Sequence, residues 1–148
     1  MKKILAVSLL AGVSLSCMSA QAADKTVMLP IEPAFHVENT REQLQGNVKF
    51  FFGKQKTPKV LQKLGTDNNA RKSNAFGKSD EVSCNTAFLS SMIGLEKRAR
   101  ELGANAVINI VSNYNHVEMS SETEYECHVG AIMSGVAFKG DFVKIADK

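Results

Sequence analysis

Between Ser79 and Gly103 the chain carries the pattern of one long amphipathic helix, and the apolar stripe of that helix constrains everything around it. Cys84, Phe88, Met92, Leu95, Ala99 and Leu102 recur at steps of three or four, which puts them on one side of a helix. Ser79 suits the N-cap. Asp80 and Glu81 place negative charge in the first turn, Lys97, Arg98 and Arg100 lie near the C-terminal end, and Gly103 is a natural stop. A helix with one apolar stripe has to bury it, and the segments on either side read as strands. The pattern therefore predicts an α+β domain in which the helix backs a sheet.

The strands are read from alternation and turn residues. Asn47 to Phe52, dense in aromatics, reads as a first strand, Gly53 to Pro58 as its turn, and Lys59 to Leu64 as a second strand. Gly65 to Lys78 reads as a polar loop. After the helix, Asn105 to Val117 and Thr123 to Phe138 read as two further strands joined by a tight turn at Ser120-Ser121. That register sets Tyr114 opposite Cys127 and His116 opposite Tyr125. It gives the helix one face, with Ile108, Ile110, Tyr114, Tyr125, Cys127, Val129, Ala131 and Met133. The other face receives Asn109, Asn113, Asn115, Glu124, Glu126 and His128, together with an apolar half of Val107, Val111, Ile132, Val136 and Phe138 that something must cover.

The first 22 residues read as a secretory signal peptide. Lys2 and Lys3 precede an apolar run from Ile4 to about Leu15, and Ala20-Gln21-Ala22 has the small-residue spacing of a cleavage site between Ala22 and Ala23. Cys17 raises lipoprotein processing as an alternative, but Ser14-Leu15-Ser16 puts leucine in the wrong place and a bulky residue where a small one is needed. Periplasmic localisation without a stable membrane span is expected. Of the 18 basic and 15 acidic residues, the leader holds Lys2 and Lys3 and no acid, so 16 basic residues remain against 15 acidic. A net charge near +1 without a basic block gives no footprint for nucleic acid. The same cut leaves Cys84 and Cys127, an even pair in an oxidising compartment, and predicts one disulfide. Its loop of about 44 residues would stabilise the fold by about 4 kcal/mol in the chain-entropy description. The expected organisation is signal peptide over 1–22, an irregular segment over 23–46, one α+β domain over 47–140 and a tail over 141–148.

Three constellations bear on chemistry. Gly77, Lys78 and Ser79 before the helix resemble the end of a phosphate-binding loop, but the required earlier glycine is Lys72 and no buried parallel strand leads into it. Nucleotide binding is therefore rejected at these residues. The stretch HVEMSSETEYECH (116–128) is rich in metal ligands, and the expected register leaves Glu124, Glu126 and His128 sharing one face as a candidate metal site. For nucleophilic catalysis there is no Gly-x-Ser-x-Gly turn and no thiol outside the predicted disulfide, His36 stands alone, and Glu118, Glu122 and Glu124 read as hairpin surface. No catalytic residue and no cofactor is expected.

The stretches ARELGANAVINIV (99–111) and VGAIMSGVAF (129–138), with the hairpin between them, resemble the YbjQ-like family over roughly residues 47 to 138. The resemblance implies a two-layer β-α-β-β sandwich, an antiparallel sheet backed by one helix, commonly assembled into rings. Cys84 and Cys127 are similar to a disulfide pair of the secreted RcsF-like relatives of this fold. The chain also resembles short secreted proteobacterial proteins that often carry the label "excinuclease ATPase subunit", although nothing in these residues fits that label. The resemblance implies a non-enzymatic envelope protein acting through homo-oligomers or a protein partner, with a metal-binding module as the alternative.

Overall fold

A computed structural model describes residues 24–37 and 40–146, so the leader, its cleavage site at Ala22 and Ala23, and Cys17 lie outside the described residues. The elements are β1 (Lys25–Pro30), α1 (Ile31–Ala34), α2 (Thr40–Gln43), β2 (Lys49–Phe52), β3 (Val60–Asn74), α3 (Asp80–Leu102), β4 (Ala106–Tyr114), β5 (Val117–Met119), β6 (Glu124–Val129) and β7 (Met133–Ile145). They form an α+β unit of one seven-stranded sheet and one main helix.

The helix forms where its sequence pattern places it. Ser79 Oγ accepts the Val82 N–H at 3.2 Å. At the other end Gly103 adopts φ 74°, its N–H donates to the Arg100 carbonyl, and the Ala104 N–H donates back to the Ala99 carbonyl. This pair of bonds closes the last turn, and a residue with a Cβ would be strained in that left-handed position. Cys84, Ala87, Phe88, Met92, Leu95 and Ala99 are all buried.

Phe88 is the centre of the core. Its ring meets Tyr125 at 4.7 Å, Phe35 at 5.0 Å, Phe138 at 5.6 Å and Phe52 at 6.1 Å between centroids. The four partners come from β6, the end of α1, β7 and β2, so one side chain joins four separated parts of the chain. Beside it, Cys84 and Cys127 form the expected disulfide, with Cα atoms 6.0 Å apart and both residues fully buried.

The sheet is mixed, not antiparallel throughout. Its order is β1-β6-β7-β4-β2, with β3 on the other edge of β7 and β5 on β4. β2 runs parallel to β4, and the remaining pairs are antiparallel. The long path from β2 through β3 and α3 supplies the crossover that a parallel pair requires.

Several local expectations are corrected. Gly65 to Lys78 is not a loop over most of its length: β3 extends to Asn74 and pairs with β7 from Val60↔Ile145 to Asn74↔Met133. Polar residues suit an edge strand, and the ladder to β7 pairs the backbone groups on one side of β3 without an apolar repeat. The tight turn sits at Asn115-His116, where φ is 51° and 64°, and Tyr114 pairs with Val117. Two successive positive φ values suit a two-residue hairpin. Tyr125 and Cys127 pair instead with Leu29 and Val27 of β1, so part of the supposedly irregular 23–46 segment is a strand. The single strand expected over 123–138 is two, β6 and β7, separated by a turn in which the Gly130 N–H donates to the Met133 carbonyl. From 141 onward the chain is the end of β7, with Phe142, Val143 and Ile145 buried.

The faces change for a definable reason. Asn109, at φ 52°, forms a bulge where the β4–β7 register shifts between Ile108 and Val111. The extra residue allows Val107 and Ile110 both to enter the main core, together with Val136 and Phe138, while Ile108 joins Ala106, Val143 and Ile145 in a second cluster. Val107, Val136 and Phe138 were expected on the face away from the helix. Conversely, Met133 is 41% exposed and Tyr114 lies outside the core, although both were expected under the helix.

Because the rings converge on Phe88, Phe88→Ala should lower stability by about 3–5 kcal/mol, the usual range for truncating a fully packed aromatic residue. Phe51→Ala, at the edge of the smaller cluster, should cost less than half as much in urea unfolding of the oxidised protein. Equal costs would show that the core is not centred on Phe88.

Candidate functional site

Two clefts bring titratable and polar side chains together. The first, about 220 Å³, is lined by Asp24, Lys72, Tyr114, His128 and the Gly130–Gly135 turn. The His128 ring stacks on Tyr114 with centroids 3.5 Å apart and planes 8° from parallel. Its Nε2 lies 2.5 Å from Glu126 Oε1.

The second cleft, about 340 Å³, is lined by Lys63, Thr66, Asn109, Val111, Glu118, Lys139, Gly140 and Asp141. Asp141 is its hub. It accepts from Thr66 Oγ1 at 2.5 Å and Asn109 Nδ2 at 2.9 Å, and pairs with Lys63 at 2.9 Å. Burial pushes its carboxyl upward, but the bonds from Thr66, Asn109 and Lys63 and the lysine charge outweigh that and hold it below the usual carboxylate range. Lys139 Nζ lies 2.5 Å from Glu118, and this hydrogen bond raises the ammonium above its ordinary value. The Asn109 bulge thus serves the site as well as the core, because it turns an amide toward Asp141.

Of the candidate metal ligands, Glu126 and His128 are brought together and Glu124 is exposed at the start of β6, opposite Pro30. Among the described residues no three His, Cys, Asp or Glu side chains are grouped as a metal site. Gly77, at φ 70°, turns the chain into α3, the Lys78 N–H donates to the Ala75 carbonyl, and Ser79 is the cap. Asp80 beside them is paired with Lys25 at 2.7 Å. His36 pairs with Glu32 at 3.0 Å.

Sequence reasoning missed Asp24, Lys72, Tyr114 and Asp141 as site residues. Lys72 was assigned to a loop and Tyr114 to the core. Asp141 fell in the assumed tail, and its partners Lys63, Thr66 and Asn109 come from two strands whose register was not legible.

Buried in the core, Tyr125 donates its hydroxyl to Asn85 Oδ1 at 2.6 Å. Burial, reinforced by the Glu81 charge, pushes its phenol well above the ordinary value. No protein-family model matches this chain, and no curated protein sequence matches it.

A carboxylate whose folded value is depressed contributes stability that is complete above the unfolded value, about pH 4, and is lost as pH falls through the folded value. Asp141→Asn should therefore be less stable than the wild type at pH 7, by about 1 kcal/mol for hydrogen bonds of this kind. The gap should close as pH falls from about 4 toward 2, where the wild-type carboxyl is itself protonated. Denaturant titrations at a series of pH values test this, and a gap independent of pH would exclude an ionised Asp141 as the hub.

Proposed function

We propose that this chain is a small non-enzymatic protein of the bacterial periplasm, with a YbjQ/RcsF-like two-layer fold, that acts by binding copies of itself or an envelope protein. The observation that carries the reading is the fully buried Cys84–Cys127 disulfide, which ties α3 to β6 and suits an oxidising compartment. The helix backing a sheet agrees with the fold that the sequence resembles. In the polar clefts several titratable groups are engaged with one another, which supports binding over catalysis: His128 with Glu126, Lys139 with Glu118, Asp141 with Lys63. No helix among the described residues is long and apolar enough to cross a membrane.

Native mass spectrometry of the protein recovered from a periplasmic extract tests the reading. The expected species begins at Ala23, is two hydrogens lighter than the reduced chain, and travels as a complex with its own copies or with another envelope protein. Recovery in the cytoplasm with two readily alkylated thiols would overturn it. A metal-binding role is the second reading, favoured by the direct contact of Glu126 with His128. Divalent-metal affinity that is unchanged by His128→Ala would remove that reading.

A further inference from the structure

β3 is the longest strand, at 15 residues, and it pairs on one side only, with β7. No other described strand pairs with its second edge, so the backbone N–H and C=O groups directed that way form a template for another strand. From Gly65 to Asn74 the register against β7 is unbroken, whereas shifts interrupt it between Val60 and Gln62 and between Lys63 and Gly65. The regular stretch is therefore the part able to accept an added strand.

We infer that this edge pairs with the same edge of a second copy, antiparallel about a two-fold axis at Asn69, which sets Asp67 of each copy opposite Arg71 of the other. The inference rests on the proposal that the chain works by association, and it names the surface. Facing residues on neighbouring antiparallel strands share a face of the sheet. Asp67, Asn69 and Arg71 meet this requirement, because all three lie on the helix side. Asp67 accepts from Arg98 Nε, Asn69 Oδ1 accepts from Ser91 Oγ, and the Asn69 and Arg71 side chains reach the space beside Gly94.

Few registers are compatible with a two-fold axis, and charge separates them. Centring on Asp67 opposes Asp67 to itself, and centring on Arg71 opposes two arginines. Centring on Asn68 or Ala70 leaves the charges facing neutral residues. Only the Asn69 centre makes opposite charges face each other within the regular stretch, and symmetry makes it do so twice. The same register lays the Leu61 end of one copy along the Phe76 end of the other. These residues are 61% and 76% exposed and flank the open edge.

The experiment is the molar mass in solution, by light scattering after size exclusion, of the oxidised full chain produced with its own leader. Asp67→Arg, Arg71→Asp and the double exchange are measured beside the wild type, and circular dichroism verifies the fold. Arg71 is exposed and the Asp67 side chain is 47% exposed, so the variants are expected to fold. The wild type should have the mass of a dimer or a higher even assembly. Each single exchange, which opposes like charges twice, should at least halve that mass, and the double exchange should restore it. Unchanged masses across all four would overturn this interface while leaving self-association intact. A monomeric wild type would overturn the interface and restrict the proposed function to a different envelope partner.

Discussion

Closure of α3 over the sheet is the constraint on which the other contacts depend. Phe88 sits on the buried side of the helix and is touched by rings from α1, β2, β6 and β7. One helical turn earlier, Cys84 is bonded to Cys127 on β6. The two features act differently. The aromatic cluster stabilises by removing large apolar surfaces from water. The disulfide limits how far the helix and β6 can separate even when those surfaces are exposed.

This arrangement also explains how polar chemistry is distributed. Tyr125 is packed against Phe88, yet its hydroxyl is satisfied by Asn85 of the same helix. Ser83 and Ser134 are fully buried and bond to each other across the helix and β7. Glu96 is buried as well, and one oxygen of its carboxylate, Oε2, accepts from the Gln45 N–H and lies 3.6 Å from Arg100. Apart from Glu96 Oε1, which has no hydrogen-bond partner among the described residues, the buried side-chain polar atoms enter the core where a partner waits for them.

How much of this could be read from the sequence depends on how local the signal is. The helix, its caps and its stripe are local, so they were legible to within a residue. The disulfide was legible because the predicted removal of the leader leaves only two cysteines. β3 was not, since a polar edge strand and a polar loop have the same composition, and only the ladder to β7 tells them apart. The hairpin register failed on Asn115 and His116, residues that adopt positive φ less readily than glycine and give a weaker turn signal. The clefts were the least legible, because Lys63, Asn109 and Asp141 meet only once three strands are aligned. Glu126 and His128, two residues apart on one strand, are the part of the site that sequence spacing could bring together.

The bulge at Asn109 has one more implication. In a regular strand, neighbours of equal parity share a face, so the number of residues between two side chains decides whether they can cooperate. Here Val107 and Ile110, three apart, share the core only because one residue is looped out of the count. Deleting Asn109 would leave composition and hydropathy almost untouched and yet turn half of β4 inside out. In β4, length is a form of information that substitution cannot replace.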